Sequence, residues 1–397
     1  MSIQLISVSH KTADLSIRSC FALTRERQIE YMKALKTSEV IEECAVLATC
    51  NRLEIYIYGR ESHQREIFSV AETLLFQYLE LPVAIDGAEY LRFYEGTRAV
   101  RHLFRVASGL DSMVMGEDQI LGQVKDAQNL AVECGCMGTC LNTCFRYAVT
   151  AAKKVKTDTD LSRTSVSTAT IAVKAAKEYL GDLKEKNILV IGASGKIGNT
   201  VYKNFAAERK TRIYATVRPH HHLENKDVYY EIPYDERYDS LDYMDVIISA
   251  TASPHYTLTV DKVRKALKTE KPRVFIDLAV PPDIDRRVAG LPKAGYYNID
   301  DFAQIAGENN RKKLAEADAA KEILEAYQIQ FEKWMIFQKY FSMVRNTKAQ
   351  IGRKAEEKGM DRALNQFFFA LRECMTPDQL EAFMKTLTKV GEIYEKD

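Results

Sequence analysis

The chain has 397 residues, 46% hydrophobic and 28% charged, enough to build more than one buried core. With 56 basic and 55 acidic residues its formal net charge is +1, which excludes bulk electrostatic attraction to nucleic acid; such a partner must be held by a local patch. No basic segment followed by an apolar one opens the chain and no apolar stretch is long enough to span a bilayer, so the expectation is a cytoplasmic protein with no membrane partner and eight reduced cysteines.

Ile3 to Ser9 reads as a strand, and Thr24 opens a helix with Ile29, Met32 and Leu35 at helical spacing. Cys44 to Ala48 and Ile55 to Tyr58 read as strands on either side of Thr49-Cys50-Asn51-Arg52. Cys50 is then presented at a strand end with the Arg52 cation two residues away, which favours thiolate over thiol and points to a nucleophile; the alternative, one more buried and inert cysteine, is made weaker by the polar flanks but stays open here. From His102 to Lys125 the apolar periodicity fades after Ala107, and Ser, Asp, Glu and Gln accumulate in a poor core but a good ligand surface. His102 itself, alone at helical spacing, reads more readily as a satisfied structural residue than as a functional one. Cys134, Cys136, Cys140 and Cys144 have spacings that fit no common metal site. Cys140 and Cys144 share one face of a helix running to about Lys156, so packing is expected and no metal. The polar stretch Lys156 to Asp160 closes a first α+β domain, 1–160, without a glycine-rich nucleotide loop and suited to holding substrate.

A helix from about Thr164 to Leu180 leads into the apolar run Asn187 to Ile191. That run ends at Gly192-Ala193-Ser194-Gly195-Lys196-Ile197-Gly198, and a helix follows to about Arg209. Strand, glycine turn and helix open a dinucleotide-binding unit, in which the backbone closely approaches pyrophosphate at the helix N-terminus. The next strand, Arg212 to Val217, carries Thr216 and is followed by Arg218, where an NAD site places an acid; arginine there favours the 2′-phosphate of NADPH. His220 to His222 reads as a solvated turn, since adjacent residues make a poor ligand set. Further strands at Asp245 to Ser249 and Arg273 to Leu278 put Ser249, Ala250 and Thr251 at the carboxyl edge where such sheets bind ligands, giving a second domain, 161–301. Phe302 to Arg353 reads as one long helix, either connecting domains or pairing with another helix, and Asp361 to Asp397 as an amphipathic helical tail, together a third region, 302–397. Lys339, Arg345, Lys348, Arg353 and Lys354 form a basic run, read as a solvated face or as a contact to a phosphate backbone.

At the residues His102 to Lys125 and Thr49-Cys50-Asn51-Arg52 the sequence resembles the signature and catalytic loop of the glutamyl-tRNA reductase family. Val8-Ser9-His10-Lys11-Thr12-Ala13, Ile276-Asp277-Leu278-Ala279-Val280-Pro281 and Tyr297-Asn298-Ile299-Asp300-Asp301 resemble further motifs of that family in the same order, and the likeness covers Ile3 to Arg353. The resemblance implies a multidomain α/β protein: an N-terminal α+β catalytic domain, a Rossmann-type NADP-binding domain, a long connecting helix and a C-terminal helical dimerisation domain. It implies that Cys50 attacks the ester of glutamyl-tRNA(Glu) to leave a thioester, which NADPH reduces to glutamate-1-semialdehyde at the entry to tetrapyrrole synthesis. His102 takes the position that assists catalysis, and Thr49, Asn51, Arg52, Ser112, Glu117, Asp118, Gln119, Gln123 and Ser167 those that contact substrate. Arg52 offers a fork of donors suited to a carboxylate. The implied partners are the tRNA substrate, a second copy through the C-terminal helices and, for handing on the aldehyde, glutamate-1-semialdehyde aminomutase.

Three departures from the family pattern stand out. The glycine turn is one residue longer, Thr216-Val217-Arg218 replaces the usual Asn-Arg-Thr, and Phe383 to Asp397 lacks the usual closing motif. Two other readings remain at this level: an NADP-dependent acyl reductase acting on a small thioester, and a tRNA-binding regulator without turnover.

Overall fold

The computed structural model describes residues 2–117, 119–161, 168–208, 210–217, 230–302 and 314–394. Two compact units divide the chain, Met1–Phe331 and Glu332–Asp397.

Among the described residues of the first unit, β1 (Ser2–Ser9), β2 (Ile41–Ala48), β3 (Arg52–Gly59) and β4 (Arg92–Glu95) form an antiparallel sheet in the order β2-β3-β1-β4. Around it lie α1 (Leu15–Cys20), α2 (Arg25–Leu35), α3 (Gln64–Tyr78), α4 (Thr97–Ala107), α5 (Gln119–Glu133) and α6 (Thr139–Asp158). Side-chain caps start two of these helices: Asp14 accepts from the Ile17 amide at 3.0 Å and Thr24 from the Arg27 amide at 3.3 Å. A third is capped from the sheet, because the Glu43 carboxylate on β2 accepts the Cys140 and Leu141 amides at the start of α6, at 2.9 and 2.7 Å. One face of the sheet meets α2, where the Cys44 thiol reaches the Met32 carbonyl at 3.4 Å. The other meets α6, where the Tyr56 and Phe145 rings lie edge to face at 5.3 Å.

Every residue of β1 and β3 is buried, so a charge on either strand needs a partner inside the protein. β3 begins at Arg52, three residues earlier than the sequence pattern indicates. The reason is local: Arg52, Glu54 and Tyr56 share one face at the period of two and bond to one another, which makes a charged stretch compatible with a buried strand.

After α7 (Thr168–Leu180), the strands β5 (Asn187–Ile191), β6 (Arg212–Val217), β7 (Tyr230–Pro233), β8 (Val246–Ser249), β9 (Arg273–Asp277) and β10 (Ala294–Asn298) build a parallel sheet, with α8 (Lys196–Ala206) and α9 (Val260–Ala266) between them. Its order, β10-β9-β8-β5-β6-β7, is that of a Rossmann fold, with the topological switch between β5 and β8. Alternate residues feed opposite cores: Ile188 and Val190 pack with α7 and α8, whereas Leu189 and Ile191 pack with α9. Burial on both faces explains the unbroken apolar strands.

The helix α10 (Leu314–Lys358) runs further than Arg353, and the part expected between Phe302 and Leu314 lies, from residue 303 to 313, outside the described residues. In the first unit α10 buries Ala317, Ala320, Leu324 and Phe331, and the Phe331 ring lies 5.9 Å from Tyr147. The second unit holds the remainder of α10, then α11 (Met360–Cys374) and α12 (Pro377–Tyr394), with Gly359 at φ +86° between α10 and α11. Lys339, Arg345, Lys348, Arg353 and Lys354 are all exposed, as both a solvated face and a contact to a phosphate backbone require. No helix among the described residues is long and apolar enough to cross a membrane. His220 to His222 lie outside them.

Candidate active site

The β2–β3 turn is tied by one side chain. Thr49 Oγ1 accepts from the Asn51 and Arg52 amides at 3.1 and 3.2 Å, and the Thr49 amide donates to the Arg52 carbonyl at 2.8 Å. Cys50 is thereby held at the tip of a hairpin, half-buried, and the His10 amide braces it from β1 by donating to the Asn51 carbonyl at 2.9 Å.

Thr49, Cys50, Asn51 and Arg52 line a small cavity with Ser112, Glu117, Gln119 and Gln123, and its far wall comes from the Rossmann-type domain through Ile197, Leu278 and Ile299. Gln119 and Gln123 are one turn apart on α5 and so share a face. Asn51 Oδ1 is buried and has no hydrogen-bond partner among the described residues, and the buried Ser112 hydroxyl faces the Glu117 carboxylate, an arrangement that suits a polar ligand. Asp118 and Ser167 lie outside the described residues.

Two expectations about charge are corrected. Arg52 does not hold Cys50 as a thiolate: burial, then the nearby Glu117 carboxylate, push the thiol up to about 12. Nor does Arg52 extend a free fork toward the cavity. It is 3% exposed, and its guanidinium donates to Glu54 at 2.7 Å, to the Asp111 carboxylate at 3.2 Å and to the Asp111 carbonyl at 2.6 Å. Glu54, fully buried, also pairs with His102 Nε2 at 2.6 Å and accepts from the Tyr56 hydroxyl at 2.6 Å. Burial alone would raise the Glu54 carboxyl, but His102 and Arg52 together hold it well below the usual range. Asp111 is further paired with Lys11. His102, stacked on Tyr94, is therefore two side chains from Cys50's loop and does not line the cavity. Burial, with Arg52 and Lys11 nearby, lowers His10 to about 4 and keeps it neutral.

Sequence reasoning passed over Glu54, Asp111, Lys11 and His10. A usable signal was present in Arg52-Leu53-Glu54-Ile55-Tyr56, where opposite charges two residues apart sit on one face of an apolar strand.

A groove of about 370 Å³ at the carboxyl edge of the parallel sheet is lined by Gly192, Ser194, Gly195, Thr216, Ala250 and Thr251, among others. Its residues fit a dinucleotide. A Cβ on Gly192, at φ +86°, would meet the Ala250 carbonyl oxygen at 2.6 Å, and one on Gly198 would meet the Gly192 oxygen at 2.1 Å, so α8 packs directly on the turn. The extra residue of the turn is absorbed by a bond from the Gly195 amide to the Gly192 carbonyl at 3.0 Å, and no side chain caps α8. Those of the other expected cofactor residues that the structure describes are placed differently. Ala193 is buried in the core, Ile197 faces the Cys50 cavity, and the Lys196 side chain and Arg218 lie outside the described residues. Ser249 is fully buried and donates to Asp283 at 2.6 Å, so its hydroxyl is turned from the groove. Thr251 also binds Asp283, through its amide at 2.8 Å and hydroxyl at 2.7 Å, which fixes the loop that borders the groove.

A Rossmann-type groove beside a second domain that presents a half-buried thiol among polar side chains defines a nicotinamide-dependent oxidoreductase. The family described as "Glutamyl-tRNAGlu reductase, N-terminal domain" matches residues 6–159, and "Shikimate / quinate 5-dehydrogenase" matches 174–305. A glutamyl-tRNA reductase of Alkaliphilus metalliredigens is 32% identical over 98% of this chain and 91% of its own length, and one of Halalkalibacterium halodurans is 33% identical over 84% and 73%. The solved structure of glutamyl-tRNA reductase from Methanopyrus kandleri aligns at a TM-score of 0.47 with 27% identity, covering 98% of this chain and 92% of that one. The chain belongs to the glutamyl-tRNA reductase family.

Proposed function

We propose that this chain reduces the glutamyl group of glutamyl-tRNA(Glu) to glutamate-1-semialdehyde through a thioester on Cys50, with NADPH as reductant, feeding tetrapyrrole synthesis. The observation that carries the proposal is the cavity that gathers Cys50 with Asn51, Ser112, Glu117, Gln119 and Gln123 against the wall of the dinucleotide domain. The Cys50 sulfur adds to the ester carbonyl, the bond to the terminal ribose oxygen breaks, and that oxygen takes a proton as tRNA leaves. A thioester is a better hydride acceptor than a carboxylate, and the reduced nicotinamide supplies the hydride when bound. The tetrahedral hemithioacetal then collapses: its carbon–sulfur bond breaks, the hydroxyl proton passes to the departing sulfur to regenerate the Cys50 thiol, and the aldehyde is freed.

Asn51, whose buried Oδ1 has no partner among the described residues, and Ser112 orient the glutamyl group. Arg52 and His102 act at one remove, by fixing the hairpin through Glu54 and Asp111. Gly192, Ser194, Gly195, Thr216, Ala250 and Thr251 would hold the cofactor, and Arg218 its 2′-phosphate. The exposed apolar side chains Phe337, Phe341 and Val344 of the second unit support a homodimer through the C-terminal helices.

Mixing the chain with glutamyl-tRNA and NADPH should consume NADPH and yield an aldehyde trappable as its oxime, with NADH slower by about tenfold or more. Consumption of NADPH with a small glutamyl thioester but not with glutamyl-tRNA would move the assignment to an acyl reductase.

A further inference from the structure

One buried cation touches both the Cys50 hairpin and the dinucleotide domain. Arg18 on α1 is 5% exposed, and its Nε lies 3.4 Å from the Cys50 carbonyl oxygen. Its Nη2 donates to Asp300 Oδ1 at 2.7 Å, and Nη1 to the Ala13 carbonyl at 2.9 Å. Asp300 follows β10 in the Rossmann-type domain, and its second carboxylate oxygen accepts the Leu15 amide at 3.0 Å, so this one residue grips α1 at two points. Its neighbour Ile299 forms part of the wall facing Cys50.

An ion pair between buried Arg18 and partly buried Asp300 is a weak source of net stability, because desolvation offsets most of the attraction; its use is to select one arrangement over others. The arrangement selected here is a closed one. With the pair formed, the Cys50 cavity offers a free volume of about 20 Å³, about enough for one water, whereas a glutamyl group is several times larger. Acyl transfer therefore needs the wall to move away from Cys50, and hydride transfer needs it to return.

We propose that Arg18 and Asp300 form a latch that holds the dinucleotide domain against the Cys50 hairpin for the reduction step and is open during acyl transfer. Both are positioning residues. This inference rests on the thioester reading above and names the pair that separates its two half-reactions.

The test uses the full chain and follows each half-reaction separately. Asp300→Asn keeps the side-chain shape and removes the charge that pairs with Arg18. Labelled glutamyl-tRNA without NADPH should acylate this variant within about twofold of the wild-type rate, since the latch is open in that step. Adding NADPH should then release aldehyde slower by on the order of tenfold to a hundredfold, the range expected when reacting groups are misplaced by about an ångström. Asp300→Glu, which restores the charge, should recover part of the reduction rate, and NADPH binding to the free Asp300→Asn variant should match wild type. Equal losses in both half-reactions, as a general folding defect would give, overturn the latch; so does an unchanged reduction rate. Failure of the wild type itself to become labelled is a different result and removes the thioester reading beneath it.

Discussion

At Cys50 the burial that narrows the cavity also keeps the sulfur protonated, with Glu117 adding to the effect and Arg52 spent on Glu54 and Asp111. The thiol is an acid raised to about 12, so its reactive form increases with pH and does not saturate in the neutral range. Alkylation of Cys50 by iodoacetamide, followed peptide by peptide by mass spectrometry, should rise about tenfold per pH unit from roughly pH 7 to 10. A plateau near neutral pH would contradict this and restore the thiolate expected from sequence. The residues Thr49 to Arg52, Ser112, Glu117, Gln119 and Gln123 were legible as a group through family likeness, and they do meet at one cavity. Their electrostatics were not legible, because Arg52 is two residues from Cys50 in sequence but is bound by Asp111, 59 positions away. Sequence proximity reports which charges are near a thiol, not which are already neutralised.

Elements with a single strong period were readable to within a few residues: β5 and β6 from their apolar runs, α8 from the glycine turn, α6 from its shared apolar face. The start of β3 was hidden because Arg52 and Glu54 look like loop until their pairing is known. Ser249 was placed in the groove by its position at a strand end, yet Asp283, which turns it inward, comes from 34 residues further on. At the C-terminal helices, spacing alone marks apolar faces, and Phe337, Phe341, Val344 and Phe369 remain exposed in the second unit. Ordinary helices do not leave that many large apolar groups in water without a partner. Sedimentation equilibrium should find a dimer at micromolar protein, weakened at least about tenfold by Phe341→Asp if that face is central to the interface. A wild-type monomer at those concentrations would remove the dimer from the account.

For the whole molecule the open point in the sequence was whether a thiol from one domain and a nucleotide fold from another meet. In the structure Ile197, Leu278 and Ile299 stand across a narrow cavity from Cys50, and Gly195, two residues before Ile197, borders the dinucleotide groove. No local pattern encodes that approach; it depends on contacts such as Arg18 with Asp300, 282 residues apart. The central claim is that these two parts perform successive steps on one acyl group carried by Cys50. It is tested most directly by a single turnover with glutamate-labelled glutamyl-tRNA in the absence of NADPH. The account predicts label bound to the protein by a hydroxylamine-sensitive link, located on Cys50, absent in Cys50→Ser and released as aldehyde when NADPH is added. Aldehyde formation by Cys50→Ser at the wild-type rate, or label that NADPH cannot discharge, would contradict it.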